Sequence, residues 1–407
     1  MADLRTEFAG IRSPNPFWLA SGPPTDKAYN VERAFEAGWG GVVWKTVGDP
    51  IINTTSRYWA NTYNNAAVSG FTNIELITDR PIDLNLREIK QVKRDWPDRA
   101  VVVSLMVPCT EPDWEEILKR VNDTGADGVE LNFGCPHGMS ERGMGAAVGQ
   151  VPEYVEMVTR WAKTHTRMPV IVKLTPNVNS IVTPAAAAKA GNADAVSLIN
   201  TVATIIAVDL DTMSPLPSVN GKGSHGGYCG PAVRPIALRM VGDISHELDL
   251  AGMPISGIGG VGTWHDAAEF MALGCGTVQV CTAAMHHGFR IVGDMIDGLS
   301  NWMDGKGYSR IDDFRGAAVP NFVRWDELDM NYKLLARIEQ DTCIQCGKCH
   351  IACEDTAHQA ISATRDNGVR RYEVIDEECV GCNLCALVCP AEGCITMEPV
   401  DNGKDYV

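Results

Sequence analysis

Three continuous apolar runs, VVVSLM (Val101–Met106), VIVKL (Val170–Leu174) and VQVCTA (Val278–Ala283), decide the fold class of this chain. Unbroken apolar runs are typical of parallel strands that are buried on both faces. Together with similar stretches they predict eight strands: Phe17–Gly22, Gly41–Thr46, Ala100–Met106, Gly128–Gly134, Pro169–Thr175, Ala195–Thr201, Pro254–Gly260 and Thr277–Ala283. Helical patterns separate the strands, as at Asp113–Thr124, Pro152–Thr164 and Ala232–Leu248. The alternation predicts an α/β protein with a (β/α)8 TIM barrel; a doubly wound open sheet is the alternative.

Polar or small residues recur where the predicted strands end. They are Ser21, Lys45, Thr46, Asn132, Lys173, Asn200, Thr201, Gly259, Gly260, Cys281 and Thr282. The carboxyl ends of the strands carry the active site in barrels of this kind. Polar loops alone would account for a serine or a threonine, but not for two lysines and two asparagines that each end a buried strand. We therefore expect a functional site at this end.

Composition restricts the class of protein. The formal net charge is −16, which argues against binding to nucleic acid or to anionic membrane surfaces. No apolar run reaches the roughly 18 residues of a membrane span, and the N-terminus lacks the pattern of a signal peptide. The sequence therefore predicts a cytoplasmic protein. The 14 cysteines are unevenly spread, because nine of them lie between Cys343 and Cys394; clustering of this kind indicates metal rather than disulfides.

Two matching cysteine runs indicate iron–sulfur clusters. The first is Cys343, Cys346, Cys349 and Cys353; the second is Cys379, Cys382, Cys385 and Cys389, followed by Pro390. The spacing C-x2-C-x2-C-x3-C is that of bacterial two-cluster ferredoxins, in which the fourth cysteine binds the other cluster. One [4Fe–4S] cluster is thus expected on Cys343, Cys346, Cys349 and Cys389, and the second on Cys379, Cys382, Cys385 and Cys353. Zinc sites usually pair two CxxC halves instead.

The domain boundaries follow from these patterns. We expect the barrel over residues 1–305, a connecting segment over 306–337, and an α+β ferredoxin-like domain over 338–407. The leftover Cys394 is expected to be a small buried apolar residue. From Arg337 onward the tail holds 6 Lys and Arg against 13 Asp and Glu, a net charge compatible with a docking partner.

The run Gly257–Gly262 matches G-x-G-x-x-G, but it follows the seventh strand rather than opening a first strand–helix turn. Loops after strands seven and eight of a barrel commonly bind phosphate. We therefore assign Gly259 and Gly260, with Cys281 and Thr282, to the phosphate of FMN. Lys45 and Lys173 are expected at the edge of its isoalloxazine ring.

The stretch Asn132–Gly145 after the fourth strand is rich in glycine and has no helical period. It is typical of a mobile lid. Cys135 at its start is placed to move a proton at a substrate carbon, with His137 as the rival donor. A lone cysteine or histidine is more often structural, but this position favours chemistry.

Six motifs resemble the dihydropyrimidine dehydrogenase family. They are NIELI (73–77), ELNFGCPHGMSERGMG (130–145), VKLTPNV (172–178), INT (199–201), GGYCGPAVRPIAL (226–238) and SGIGG (256–260). The resemblance to catalytic subunits of the bacterial PreA type covers essentially the whole chain. It implies a general acid/base at Cys135. It implies a pyrimidine site of Asn73, Glu75, Ile77, Asn132, Asn200 and Thr201, and an FMN site of Ser21, Lys45, Thr46, Lys173, Gly230, Gly259, Gly260, Cys281 and Thr282.

The resemblance also implies a reaction. Electrons would pass from NAD(P)H through FAD on a PreT-type partner subunit and the clusters to FMN. Hydride transfer from FMN N5 to C6 of uracil or thymine, and protonation of C5 by Cys135, would give the 5,6-dihydropyrimidine. A heteromer with barrel–barrel dimerisation is expected. Cys229 and Ser140 depart from the usual serine and glycine. The alternatives are a dihydroorotate dehydrogenase-like flavoenzyme and a non-catalytic electron-transfer subunit.

Overall fold

The computed structural model describes residues 2–49, 52–63, 67–136, 142–366 and 368–400. The chain divides into two units, residues 1–322 and 323–407. Within the described residues, no helix is both long and apolar enough to cross a membrane.

The first unit is built on a closed barrel of eight parallel strands. Numbering only the barrel strands, in chain order, these are β1 (Phe17–Leu19), β2 (Gly41–Val47), β3 (Ala100–Leu105), β4 (Gly128–Asn132), β5 (Val170–Lys173), β6 (Ala195–Leu198), β7 (Ile255–Ile258) and β8 (Cys275–Val280). Each strand pairs with the next, and β8 returns to β1. The predicted barrel is confirmed, and the open sheet is excluded because the ladder has no edge.

Helices follow the strands and form the outer layer. In the described chain they are Ala28–Ala37, Ile82–Asp95, Glu111–Asn122, Ala146–Gly149, Pro152–His165, Val182–Ala190, Arg234–His246, Trp264–Ala272, Thr282–His287 and Ile291–Lys306. Their inner faces and the outward-facing strand residues make one apolar core, in which Trp39 and Trp44 are fully buried. This core holds the strand ends in fixed positions.

A hairpin at the N-terminus closes the amino end of the barrel. Its strands, Thr6–Phe8 and Ile11–Ser13, pair antiparallel. Phe8 and Ile11 pack against Trp18 and other inward-facing strand residues, and the Phe8 and Trp18 rings meet edge to face at 5.8 Å. The barrel is therefore filled at this end and opens only toward the carboxyl ends of its strands.

The long segments that follow β2 and β6 meet in a small sheet. The segment after β2 supplies Tyr58–Tyr63 and Ala67–Asn73, and the segment after β6 supplies Val202–Thr204 and Gly226–Cys229. These strands form a four-stranded antiparallel sheet over the carboxyl ends. Short hairpins pair Ala207–Asp209 with Ser214–Leu216 and Ser218–Val219 with Lys222–Gly223.

The second unit is a small α+β domain. Leu334–Ile338 pairs with Ile395–Pro399, and Ile361–Asp366 pairs with Val369–Val374. Helices Lys348–Thr356 and Leu384–Val388 each begin one residue before the third cysteine of a run. Single-turn 3-10 helices complete the chain at Pro23–Thr25, Pro231–Val233, Leu248–Leu250, Ile311–Asp313, Val319–Asn321 and Trp325–Glu327.

Candidate active site

A large cavity of about 420 Å³ opens at the carboxyl ends of the barrel strands. This volume is in the range of pockets that hold small molecules and cofactors. All of the barrel residues that the sequence assigned to the site line it: Ser21, Lys45, Thr46, Asn73, Glu75, Ile77, Asn132, Cys135, Lys173, Asn200, Thr201, Gly230, Gly259, Gly260, Cys281 and Thr282. The fold therefore brings residues from nine separate stretches of sequence to one place.

Three glycines form one wall of the cavity, here called the glycine cradle: Gly230, Gly259 and Gly260. Their φ angles of 89°, 132° and 74° lie in the region that L-residues rarely adopt. A β-carbon on Gly259 would lie 2.7 Å from the β-carbon of Ala237, and one on Gly260 would lie 2.8 Å from the Gly230 carbonyl oxygen. The wall must be bare backbone, and exposed backbone amides bind phosphate well. The cradle thus fits the phosphate of FMN.

Asp266 fixes the chain directly after the glycine cradle, and the sequence reasoning missed it. Its carboxylate accepts hydrogen bonds from the backbone N–H groups of Gly262 at 3.0 Å and Thr263 at 2.9 Å, and it pairs with Arg234. Thr263 and Asp266 also form the capping box of helix Trp264–Ala272. A T-x-x-D spacing before an apolar helix could have revealed this clamp.

Two thiols lie beside the cradle. Thr282 donates a hydrogen bond to the Cys229 sulfur at 3.3 Å, and Cys229 in turn donates to the carbonyl of Phe71 at 3.3 Å. Burial raises the pKa of Cys229 to about 11 and that of Cys281 to about 12. Both thiols therefore stay neutral near pH 7 and add no negative charge where a phosphate would bind.

A chain of hydroxyl and amide groups crosses the cavity. The Ser21 and Thr46 hydroxyls are 3.0 Å apart, the Asn132 amide donates to Thr46 at 2.9 Å, and the Asn200 amide donates to the Asn132 oxygen at 2.9 Å. Each link starts at the end of a different strand, so the closed barrel sets the spacing. The chain holds both asparagine amides in fixed orientations toward the cavity.

Lys45 and Glu75 form an ion pair at the cavity wall, with 2.5 Å between Nζ and Oε1. Tyr58 donates to the other carboxylate oxygen at 2.8 Å, and Arg57 lies 3.3 Å away. Burial alone would raise the pKa of Glu75, but Lys45, Tyr58 and Arg57 together bring it below its ordinary value. Burial and the Glu75 carboxylate raise the pKa of Tyr58. Glu75 is thus a carboxylate and Tyr58 a neutral phenol.

Asn73 is held by backbone groups in this structure. Its amide nitrogen donates to the Gly227 carbonyl at 3.0 Å, and its amide oxygen accepts the Glu75 N–H at 3.2 Å. Asn73 therefore ties the loop sheet together and orients Glu75, and its side chain also lies within hydrogen-bonding reach of the Cys229 sulfur. The sequence could not indicate this, because Gly227 is far away along the chain.

Lys173 faces Glu130, a carboxylate in the middle of β4 that the sequence reasoning did not single out. The Lys173 Nζ and Glu130 Oε1 atoms are 3.6 Å apart, and Glu130 has no exposed surface. Ser197 and Gln279 donate to its other oxygen at 2.8 and 3.2 Å. The available signal was one acidic letter within an otherwise apolar strand, GVELN.

Cys135 is buried at the edge of the cavity, in a cluster with Ile77, Met106 and Met144. Its carbonyl accepts the N–H of Ala146, and the next carbonyl, that of Pro136, lies 2.9 Å from Nε2 of His225. The start of the predicted lid is therefore anchored from two sides. His137 and Ser140, named from the sequence, lie outside the described residues.

The second unit brings the trailing cysteine of the first run to the second run. Cys353, Cys379, Cys382 and Cys385 line one small cavity, which is the predicted ligand set of one cluster. Apolar residues such as Ala336, Ala360 and Ile361 also line this cavity, and apolar surroundings limit the access of water to a cluster.

Thiols of the other predicted cluster, Cys343, Cys346, Cys349 and Cys389, also lie near one another. The pKa of the Cys349 thiol is raised to about 11, chiefly by burial and further by the neighbouring Cys343 and Cys346. Cys394 is buried as expected, and it lies against both Cys389 and Cys343. A thiol set of this composition fits a second iron–sulfur cluster.

Comparison with known proteins agrees with both units. The family described as "Dihydroorotate dehydrogenase" matches residues 3–303, and the "4Fe-4S dicluster domain" matches residues 336–397. The chain is 42% identical over 399 residues to the NAD-dependent dihydropyrimidine dehydrogenase subunit PreA of Escherichia coli K12, covering 98% of this chain and 96% of that protein.

Two further relatives match over the greater part of the chain. Chloroplastic dihydropyrimidine dehydrogenase (NADP(+)) of Arabidopsis thaliana is 40% identical over 80% of this chain and 79% of its own length. The catalytic subunit of dihydroorotate dehydrogenase B (NAD(+)) of Pyrococcus abyssi is 36% identical over 78% of this chain and 99% of its own length. The chain, with its dihydroorotate dehydrogenase-type barrel and 4Fe-4S dicluster domain, belongs to the dihydropyrimidine dehydrogenase family of oxidoreductases.

Proposed function

We propose that this chain reduces uracil or thymine to the 5,6-dihydropyrimidine at the barrel cavity. The observation that supports this most is the meeting of Cys135, the Asn132 and Asn200 amides and the glycine cradle in one cavity. A proton-transfer group, a recognition edge and a phosphate site are the three parts that a flavin-dependent pyrimidine reductase needs. The names of the bacterial and plant relatives agree with this substrate class.

The glycine cradle, with Thr282 at the start of its short helix, holds the phosphate of FMN. Lys45 and Lys173, with Ser21 and Thr46, hold the ring. Bound FMN supplies the two-electron chemistry at the pyrimidine double bond. The two lysines stabilise negative charge on the reduced ring, while their buried acidic partners keep them in place.

The pyrimidine edge is recognised by amide and carboxylate groups. A neutral pyrimidine presents alternating N–H and C=O groups, which Asn132, Asn200 and Thr201 match as donors and acceptors. Glu75 adds a carboxylate acceptor whose charge is offset by Lys45. Asn73 supports this edge by orienting Glu75, and Ile77 covers it with apolar surface.

Cys135 carries the proton at pyrimidine C5. Its burial against Ile77, Met106 and Met144 keeps bulk water from the thiol, so that the proton passes between the thiol and the substrate carbon. Two contacts hold this stretch of backbone, and with it the thiol, at the cavity edge: the Ala146 N–H with the Cys135 carbonyl, and the His225 ring with the Pro136 carbonyl.

Electrons reach the barrel from a partner. The eight cysteines of the two runs would hold two [4Fe–4S] clusters, which would supply the one-electron chemistry between the barrel and a subunit that carries FAD and binds NAD(P)H. The active assembly would be a heteromer in which barrels also dimerise. The bacterial relative is itself named as a subunit. The G-x-G-x-x-G run of this chain does not bind the dinucleotide. It follows β7, and the N–H groups of its last residue, Gly262, and of the next residue, Thr263, donate to Asp266.

The reverse reaction tests the proposal without the partner. We expect anaerobic addition of dihydrouracil or dihydrothymine to bleach the flavin of the purified chain, and dihydroorotate to leave it oxidised. Orotate and dihydroorotate carry a carboxylate that Glu75 would repel. Bleaching by dihydroorotate alone would assign the chain to the dihydroorotate dehydrogenases, and bleaching by neither compound would favour an electron-transfer subunit.

A further inference from the structure

A carboxylate lies at the centre of the barrel, beneath the cavity. Glu130 has no exposed surface. Its Oε2 atom accepts hydrogen bonds from Ser197 at 2.8 Å and Gln279 at 3.2 Å. Its Oε1 atom has no hydrogen-bond partner and faces Lys173 Nζ at 3.6 Å. One oxygen is therefore fixed by neutral donors, and the other is directed at a cation.

Burial of a carboxylate in this way is costly for the fold. Transfer of an ionised group out of water is strongly unfavourable unless it is paired and hydrogen-bonded. Its two neighbours in β4, Val129 and Leu131, are buried and apolar, so the carboxylate stands out within its own strand. A side chain whose burial costs free energy in this way is expected to have a role other than stabilising the fold.

Lys173 is the link between this carboxylate and the cavity. The Lys173 side chain lines the cavity, whereas Glu130 does not. Ser197 on β6 and Gln279 on β8 hold Glu130 across the inside of the barrel, so its position is set by the closed ladder and not by a bound molecule. Gln279 also lines the cavity but is neutral. Lys173 is therefore the charged side chain through which Glu130 can act on a cavity ligand.

The second cavity lysine has a different arrangement. Lys45 is paired with Glu75, and Glu75 itself lines the cavity, where it contacts whatever binds. The acid that offsets Lys173 is instead placed behind it. This difference separates a recognition role for Glu75 from a tuning role for Glu130.

We propose that Glu130 is a positioning residue that holds Lys173 against the flavin ring and offsets its charge, which lowers the reduction potential of the bound flavin. The inference rests on the proposed flavin site. A cation beside the ring favours the reduced, negatively charged form, and a fixed carboxylate one ion pair away weakens that preference. A flavin of lower potential passes electrons to the pyrimidine more readily.

The test is the midpoint potential of the flavin in Glu130→Gln, measured by anaerobic titration against reference dyes. Loss of the negative charge is expected to raise the potential, so that the equilibrium constant for reduction by a given dye increases by about tenfold. Ser197→Ala is the matched control, because it removes one hydrogen bond to Glu130 and leaves every charge in place. It is expected to leave the potential close to that of the parent chain.

Two further variants distinguish a charge effect from a loss of folding. Glu130→Asp keeps the charge but withdraws it from Lys173 by about one carbon–carbon bond, so we expect a smaller shift in the same direction. In a Lys173→Gln background, the effect of Glu130→Gln should shrink, because the residue through which it acts is gone. A purely structural role would change flavin content or stability without this coupling.

The outcomes separate this inference from the proposed function. If the parent chain binds no flavin, the proposed function fails. If flavin is bound and its potential is unchanged or falls in both Glu130 variants, the role of Glu130 is overturned while the proposed function stands.

Discussion

At the scale of single residues, the site depends on where small and polar side chains are placed by the strand ends. The sequence predicted most of them, because a lysine, asparagine or cysteine at the end of an apolar run is conspicuous. It missed Glu130 and Asp266, which act inside the barrel and behind the cradle. It also could not predict that the Asn73 amide donates a hydrogen bond to the Gly227 carbonyl, because that contact forms only where two segments far apart in the chain meet.

Replacement of Cys135 by serine tests the proton-transfer role. A hydroxyl is a far weaker acid than a thiol, so Cys135→Ser should slow reoxidation of the reduced flavin by uracil by about 10²–10⁴-fold. Flavin and iron content should be unchanged. Cys109→Ser is the control, since Cys109 is a half-buried thiol that does not line the cavity. Single-turnover kinetics across pH measure the effect; a parent-like rate in Cys135→Ser, with a stalled His137→Ala, would identify histidine as the acid.

The glycine cradle gives a second residue-scale prediction. Gly260→Ala forces a β-carbon into a position with φ of 74° and 2.8 Å from the Arg234 β-carbon, so we expect FMN affinity to fall at least tenfold. Gly262→Ala is the matched control two residues on, because its φ is not positive and its nearest contact would be an ordinary 3.5 Å to Ala283. Fluorescence titration of the flavin-free chain with FMN compares them; equal affinities would remove Gly260 from the phosphate site.

At the scale of elements, the barrel strands were predictable and the loop sheet was not. Strands buried on both faces are continuous apolar runs, so eight of them could be recognised one by one. The four short strands over the cavity are joined by three pairings, and the central one spans more than a hundred residues of chain, between Asn73 and Gly227. Local pattern carries no information about such pairing.

The two cysteine runs share one backbone design. Positive φ occurs at the same places in both: at Gln345 and Gly381 in the first gap, and at Gly347 and Asn383 in the second. Left-handed residues turn the chain tightly so that three sulfurs face inward. The two halves of the domain are thus related in backbone conformation as well as in spacing.

Substitution within these turns should loosen the clusters. Gly381→Ala combines a φ of 70° with a β-carbon 2.4 Å from the Leu334 carbonyl oxygen, while Gly393→Ala has nearly the same φ, 71°, and open space. The conformational strain of about 1–2 kcal/mol is common to both, so the difference between them measures the steric conflict. We expect Gly381→Ala to lose iron much faster than Gly393→Ala on exposure to a chelator. Similar rates of iron loss in the two variants would show that the strand containing Leu334 moves away from the new β-carbon without loosening the cluster.

At the scale of the whole molecule, the chain joins a dihydroorotate dehydrogenase-type barrel to a 4Fe-4S dicluster domain. Its net charge of −16 favours approach by a partner of opposite charge. Both units were predictable, because their signals are local: a repeated strand–helix alternation and a repeated cysteine spacing.

The isolated chain should therefore be incomplete as an NAD(P)H oxidase. We expect anaerobically purified protein to contain about eight iron atoms and FMN, and yet to reduce its flavin slowly or not at all with NADH or NADPH. Addition of the FAD-containing partner should restore rapid reduction, and higher ionic strength should slow it. Stopped-flow absorbance follows the flavin; rapid reduction of the isolated chain would reveal a nucleotide site within it.

The meeting of Cys353 with Cys379, Cys382 and Cys385 has a consequence for cluster loss. In the predicted ligand sets, each cluster takes three thiolates from one half of the small domain and one from the other. We therefore expect oxidative loss of one cubane to free a sulfur ligand in the opposite half and to make the second cubane easier to lose. Partly oxidised protein should then contain few chains that hold a single cluster.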